Sequence, residues 1–459
     1  MDALELARWQ FGATTVFHFL FVPLTIGLAP MIAIFQTIAY RTGDDKWLRL
    51  TKFFGKLFLI NFALGVVTGI VQEFQFGMNW SSYSRYVGDI FGAPLAIEGL
   101  AAFFLESTFL GLWIFGWSRL PRGVHLATIW LVALGTWLSA YFILAANSWM
   151  QNPVGFRIND ELGRAELDSF GAVLTNSNLL VQFQHTVLAA LLTAAVFVLG
   201  VCGYHLLKGH DIEVFRPAAT IALVIMLASS LGTAWAGHSQ AQLKTEQQPM
   251  KIAAAEALYE TEAPASYSLF AVGPLDGSRT YFNITLPYLL SVLATNTIDG
   301  EVVGMNELQE RYEEEYGAAD YVPNVPVLYW SFRIMVGIGT LFIAVAALGL
   351  YLVRRHRLEH SRWFLKATVP LIVLPFVANS AGWLFTEMGR QPWVVQEVLL
   401  TADGVSPTVS AGNVLTSLLA FVAIYGVLIV VEVGLLLYYG RKGLTDERTA
   451  EDVGASLQY

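Results

Sequence analysis

IFGAPLAIEGLAAFFLESTFLGLWIF, residues Ile90–Phe115, decides the fold. It is apolar and longer than the roughly twenty residues a bilayer crossing needs. Yet it contains two carboxylates, Glu98 and Glu106. Ionisable groups inside membrane helices are costly and usually functional. The stretch therefore predicts an all-α integral membrane protein with acid chemistry buried inside it.

Eight more stretches read the same way, giving about nine transmembrane helices: Thr14–Tyr40, Phe54–Gln72, Ile90–Phe115, Val124–Ala146, Val181–Leu207, Ala218–Ala236, Val327–Val353, Phe364–Phe385 and Val414–Tyr439. Of the 459 residues, 55% are hydrophobic and only 14% charged, with a mean hydropathy of +0.53. That is a membrane composition, and several spans are long enough to tilt. Basic residues gather in alternate connections. Arg41, Lys46, Arg49, Lys52 and Lys56 follow the first span, Arg119 and Arg122 the third, and Lys208 and Arg216 the fifth. Arg354, Arg355, Arg357, Arg362 and Lys366 follow the seventh, and Arg441, Lys442 and Arg448 the ninth. The positive-inside rule then puts the N-terminus outside and the C-terminus inside. The first apolar run is too long for a cleavable signal peptide and lacks a basic leader.

Three regions follow: a membrane part over 1–237, one long outer loop over 238–326, and a second membrane part with a cytoplasmic tail over 327–459. The net charge of −9 comes largely from the loop, whose run Glu313, Glu314, Glu315 reads as a solvated face. A nucleic-acid partner is not expected. The single cysteine, Cys202, excludes an intrachain disulfide, a CxxCH heme attachment and a cysteine-ligated iron–sulfur cluster. Any metal must therefore use His, Met or carboxylate. No internal repeat is apparent, nor are interrupted helices in matching halves. Within the loop, Ala241–Glu262 reads as a helix.

The topology sets His18, Glu98, His185, Met335 and Glu387 at nearly one depth, toward the outer side. Singly, each has a plain reading: a histidine bonded to a neighbouring helix, a core methionine, a carboxylate clasp. Together they point to heme iron, with His plus Met as a low-spin pair and His or Glu with an open position suited to oxygen. Trp383, Glu387 and Arg390, at i, i+4 and i+7, share one helix face. Such an Arg can hold the carboxylate ionised, bind a heme propionate, or form an ordinary helix-end ion pair. Glu106 lies about 12 Å deeper than Glu98 at 1.5 Å per residue. With Ser107 and Ser139 as polar groups for a water chain, it reads as a proton entry step or as a clasp. In QPMKIAAAEALYETEAP, Lys251 and Glu256 offer a cation and a base that could grip a quinol head group, or a plain surface pair.

These residues sit in blocks that resemble subunit I of the cytochrome bd quinol oxidases. The blocks are FHFLFVPLTIG around His18, GKLFLINFALGVVTGIVQEFQFGMNW at Gly55–Trp80, and YVGDIFGAPLAIEGLAAFFLESTF around Glu98 and Glu106. ANSWMQNP at Ala146–Pro153, FRIMVG around Met335 and AGWLFTEMGRQPW at Ala381–Trp393 continue the likeness nearly end to end.

The resemblance implies His185 and Met335 as axial ligands of the low-spin heme b558, supported by Arg333. It implies His18, Glu98 and Glu387 as ligands or near-ligands of the two high-spin hemes, heme b595 and heme d, without choosing between their pockets. Trp383 and Arg390 would pack in the heme cluster. Glu106, Ser107 and Ser139 would form the proton route, and Lys251 and Glu256 would bind quinol in the loop, called the Q-loop. Longer members carry an insertion in the C-terminal half of that loop. Here NELQERYEEEYGAADYVPNVP passes directly into the seventh span, so the chain resembles the short-loop type.

The expectation is a quinol oxidase subunit of the bacterial plasma membrane. It would oxidise menaquinol or ubiquinol outside and reduce O2 to water with cytoplasmic protons, building a proton motive force without pumping. Its partners would be a second multi-span subunit, possible small single-helix subunits and the lipid bilayer. The alternatives are a cyanide-insensitive oxidase with only b hemes, a proton-coupled transporter using Glu98, Glu106 and Glu387, or a non-catalytic anchor.

Overall fold

The computed structural model describes residues 1–444. Arg448 and the rest of the tail, 445–459, lie outside the described residues. Among those described, nine helical segments are long and apolar enough to cross a membrane: Ala3–Thr42, Asp45–Met78, Ser81–Phe115, Arg122–Gln151, Phe170–Lys208, Ile212–Gln247, Val325–Arg354, Arg362–Met388 and Ala411–Arg441. They are called the first to ninth spans below. Each contains one expected stretch and extends beyond it. Polar caps set several starts: Asp44 accepts from the Lys46 N–H and Asn324 from the Val327 N–H.

Four spans are interrupted, which the sequence reading did not expect; one is the fifth, which breaks between Leu174 and Ser177. The first breaks between His18 and Val22. The third contains a π-helical turn at Glu98–Phe103, a feature frequent at functional sites. The eighth changes helix between Leu371 and Leu374, where Pro370 and Pro375 flank the join.

The fifth span is the hub. Its most apolar window is 78% buried, against 11% in the ninth, 17% in the third and eighth, and 22% in the seventh. The outer helices therefore turn apolar faces outward, as lipid or a helical partner requires. One end of the bundle holds a continuous apolar core that includes Leu28, Ile32, Phe54, Phe58, Val198, Phe215 and Phe342. The opposite end receives the long loop and a second core around Tyr83, Trp149 and Val395. It is called the loop end here.

Three small antiparallel hairpins accompany the helices: β1 Phe156–Asn159 with β2 Arg164–Leu167, β3 Tyr267–Val272 with β4 Phe282–Leu286, and β5 Trp393–Val395 with β6 Leu399–Leu400. The sixth span runs on to Gln247, so the first ten residues of the expected loop are helical. The expected helix Ala241–Glu262 is not continuous. It breaks at Gln248, whose backbone is non-helical before Pro249, then resumes as Pro249–Glu256. It stops at Glu256 rather than Glu262, because Ala257 takes a left-handed conformation. That short helix packs on Met305–Tyr316, and Met250, Ala254, Leu308, Tyr312, Tyr321 and Trp393 share one cluster. The loop is folded onto the bundle.

Candidate functional site

The three candidate iron-binding side chains outside the carboxylates are held in a common way. His18 ends the first helix, and its Nδ1 is 2.9 Å from Thr68 Oγ1. Thr68 spends its own proton on the backbone oxygens of Leu64 and Gly65. With the proton placed there, Thr68 accepts from His18 Nδ1–H and the lone pair is on Nε2. His185 Nδ1 is 3.1 Å from the Thr233 carbonyl, which can only accept, so its lone pair is also on Nε2. A metal-binding histidine needs this arrangement, with the second nitrogen fixed by an acceptor. Each side chain also lies against a glycine of a neighbouring span. A methyl at Gly69 would stand 3.1 Å from the His18 ring, one at Gly237 3.2 Å from His185, and one at Gly382 2.8 Å from Met335 Sδ. The donor set fits heme iron.

The fourth span serves as a ruler for depth. Near its loop end, Asn147 donates to Glu387 Oε1 at 2.8 Å and Gln151 donates to the same oxygen at 3.3 Å. Gln182 of the fifth span bonds Asn147 and Ser148, so His185 lies about one turn deeper. Phe19 packs on Trp383 at 6.1 Å, and Met335 on Gly382, which sets His18 and Met335 near that level too. Glu98, however, accepts from Ser139 at 2.6 Å, eight residues below Asn147, or about 12 Å. The expected single layer is thus corrected to a stagger: Glu387 nearest the loop, then His185, Met335 and His18, then Glu98.

Glu106 is buried and packs on Gly135, one turn beyond Ser139. On the fourth span it therefore lies one turn deeper than the point where Ser139 meets the Glu98 carboxylate. The expected trio also separates. Ser139 belongs to Glu98, while Ser107 is exposed and returns its proton to the Phe103 carbonyl at 2.8 Å.

Arg390 does not continue the helix face of Trp383 and Glu387. The helix ends at Met388, and Gly389 and Pro392 bound the turn that follows. That turn swings Arg390 Nη2 to 2.6 Å from Glu387 Oε2. Both expected partners are therefore joined, by a turn and not by helical periodicity.

Lys251 and Glu256 are five residues apart on one short helix, and they face different neighbours. Lys251 Nζ donates to Gln151 Oε1 at 2.7 Å and Gln248 Oε1 at 2.6 Å. Its stem lies against Gly389, where any side chain would collide. Burial pushes the Lys251 ammonium well below its usual range, and nearby Lys244 adds to this. Glu256 instead takes Arg333 Nη2 at 2.6 Å and the Ser268 N–H at 3.2 Å. Arg333 also donates to the backbone oxygens of Ala255 and Ser268 and lies over the Tyr329 ring at 4.0 Å. Arg333 thus fastens the loop above Met335. Burial pushes Glu256 up to about 7, against the opposing pull of Arg333.

Sequence reasoning missed Asn147, Gln151, Thr68, Thr233 and Lys244, all neutral or ordinary residue types whose roles come from their neighbours. It also missed Glu432, which is 5% exposed on an otherwise outward-facing span. An apolar run with one Glu was its only signal.

Fold and donor set define a multi-span membrane protein equipped for metal-centred redox chemistry. Residues 6–444 match the family described as cytochrome bd terminal oxidase subunit I. The chain is 51% identical over 429 residues to the cytochrome bd ubiquinol oxidase subunit 1 of Bacillus subtilis (strain 168), covering 93% of this chain and 91% of that one. It is 40% identical over 499 residues to the cytochrome bd-II ubiquinol oxidase subunit 1 of Escherichia coli (strain K12), covering 96% and 97%. The solved bd oxidase of Geobacillus thermodenitrificans superposes with a TM-score of 0.88 at 29% identity, covering 96% of this chain and 98% of that one.

The chain belongs to the cytochrome bd terminal oxidase subunit I family. It is a heme-containing subunit of a quinol:oxygen oxidoreductase in the bacterial membrane, an enzyme that works with a second subunit.

Proposed function

We propose that this chain takes electrons from quinol at the loop end and protons from the other side, so that oxygen reduction charges the membrane without a pump. The loop end is the outer face in this reading, with the N-terminus outside, and residues 238–326 are the quinol-binding Q-loop. The observation that carries the proposal is the separation of roles along the bundle. The quinol residues Lys251 and Glu256 sit at the loop end, and Glu106 lies beyond Glu98 in the opposite direction.

Glu256 accepts the quinol proton. Arg333 and the Ser268 N–H occupy its Oε2, which leaves Oε1 for the hydroxyl. A carboxyl poised near 7 is suited to general base work at neutral pH. Lys251 holds the opposite side of the short helix and connects it, through Gln151, to Glu387.

His185 and Met335 would hold heme b558, and His18, Glu98 and Glu387 would serve heme b595 and heme d, with Trp383 and Arg390 packed beside them. When bound, these hemes supply electron transfer and the reduction of O2 to water. Thr68 and Thr233 orient the histidines for that purpose. Glu106 passes protons toward Glu98, whose carboxylate Ser139 fixes. Small single-helix subunits would seat on the apolar outer faces. The substrate is menaquinol or ubiquinol. The alignment with the Escherichia coli relative extends over 499 residues, more than the 459 here, so that relative carries residues this chain lacks. This supports the short-loop reading.

The deciding experiment is a reduced-minus-oxidised spectrum of the two-subunit enzyme, with extracted heme identified. A chlorin band with b-type bands is expected. Only b-type bands with full heme content would replace heme d by a b heme, and a heme-free folded enzyme would overturn the reading.

A further inference from the structure

Three cations converge on one carboxylate at the loop end. Lys244 on the sixth span, Lys251 on Pro249–Glu256 and Arg390 after the eighth span all lie within electrostatic reach of Glu387. They are 4%, 1% and 4% exposed, so water does not compensate them. Lys251 is satisfied by two glutamines. The other two are not. Lys244 Nζ is buried with no hydrogen-bond partner, and Arg390 Nη1 is buried with none, although Arg390 Nη2 holds Glu387.

A buried cationic donor without an acceptor loses its hydration and gains no hydrogen bond in return. Two such donors within electrostatic reach of the same carboxylate mark a seat for acceptors that arrive from elsewhere. The charge count says what kind. With Lys251 satisfied by its two glutamines, Lys244 and Arg390 are left with one carboxylate, Glu387, between them. A neutral quinol cannot offset this, whereas a ligand carrying two carboxylates can.

We propose that Lys244 Nζ and Arg390 Nη1 receive the paired propionates of a bound heme, with Lys244 as a heme-positioning residue. The inference rests on the heme-bearing reading above. Placement agrees with it. Lys244 stands seven residues beyond Gly237, the residue on which His185 packs, so it lies about 10 Å along the helix toward the loop. Arg390 lies just past Glu387, in the turn that ends the eighth span. Lys244 therefore sits above the level of His185, and Arg390 at the level of Glu387. The seat also adjoins Lys251, so it would tie the quinol loop to a heme edge through charge.

The test uses the complete two-subunit enzyme carrying heme labelled with carbon-13 at the propionate carboxylates, and reads redox-difference infrared spectra and heme midpoint potentials. Lys244→Met should move labelled carboxylate bands and lower one heme's potential, because a positive charge that favours the reduced form is gone. Lys244→Arg should restore both. A Lys244→Met enzyme with full heme content, unmoved bands and unchanged potentials overturns the proposal. So do band shifts that follow added phosphate or chloride but not the label, since they indicate a free anion. If Lys244→Met loses heme, Lys244→Arg must retain it; equal loss in both means Lys244 acts through shape, and the proposal fails. A wild-type enzyme without heme sinks the oxidase reading itself, and this inference with it, before any variant is made.

Discussion

Lys251 and Glu387 share one side chain. Gln151 accepts from Lys251 Nζ through Oε1 at 2.7 Å and donates to Glu387 Oε1 through Nε2 at 3.3 Å. A residue of the loop helix and a carboxylate of the eighth span are thereby joined across the end of the fourth. In the proposed mechanism this connects the quinol side to a heme-ligand carboxylate.

Gln151→Leu should cut that connection while keeping the volume. A hydrogen bond to a charged group contributes about 1.5–3 kcal/mol, so quinol oxidation should fall by roughly ten- to a hundredfold. Steady-state oxygen consumption with the heme content measured alongside is the check. Turnover within twofold of wild type would remove Gln151 from the mechanism.

Glu256 sets a pH limb. Its carboxyl, pushed up to about 7, is protonated below that value and cannot take a quinol proton. Quinol oxidation should therefore rise as pH climbs through about 7, and Glu256→Gln should abolish the limb along with most activity. The same shift has a stability consequence of known sign. The folded state holds this proton more tightly than the unfolded chain, so the group's contribution to stability decreases from the ordinary carboxyl range up to about 7. A pH–rate profile that keeps its limb in Glu256→Gln would assign the limb to another group.

Gly382→Ala should strike Met335. The added methyl would stand 2.8 Å from Sδ, closer than packing allows, so the thioether must move. The low-spin b-type spectrum should weaken toward high spin and its midpoint potential should fall, as loss of a methionine ligand requires. Gly12→Ala on the first span, where a methyl meets nothing within 4 Å, is the matched control.

Glu106 and Ser107 should separate. Glu106→Gln is expected to slow proton-coupled turnover by roughly 10²-fold while leaving the heme spectrum intact. Ser107→Ala should have little effect, because that hydroxyl is exposed and bonded to its own helix. Ser139→Ala should behave more like a Glu98 variant, since it removes the donor 2.6 Å from that carboxylate. Equal losses in the Ser107 and Ser139 variants would contradict this division.

The sequence by itself determined the nine spans and singled out the candidate residues for chemistry within them. Hydropathy is a local, axial quantity. A run of apolar residues must cross the bilayer whatever packs beside it, and an acid or histidine within that run is conspicuous by its cost. The identities of His18, Glu98, His185, Met335 and Glu387 could therefore be read directly, and their depth only to within a few turns. The tertiary structure decided who meets whom. Ser139 reaches Glu98 and not Glu106, Lys251 turns to Glu387 and Glu256 to Arg333, and Arg390 arrives through a turn rather than along a helix. Those choices depend on how helices rotate and pack against each other. Burying a charge or an amide is tolerable only where a neighbouring helix supplies its partner, and no one-dimensional pattern records that neighbour.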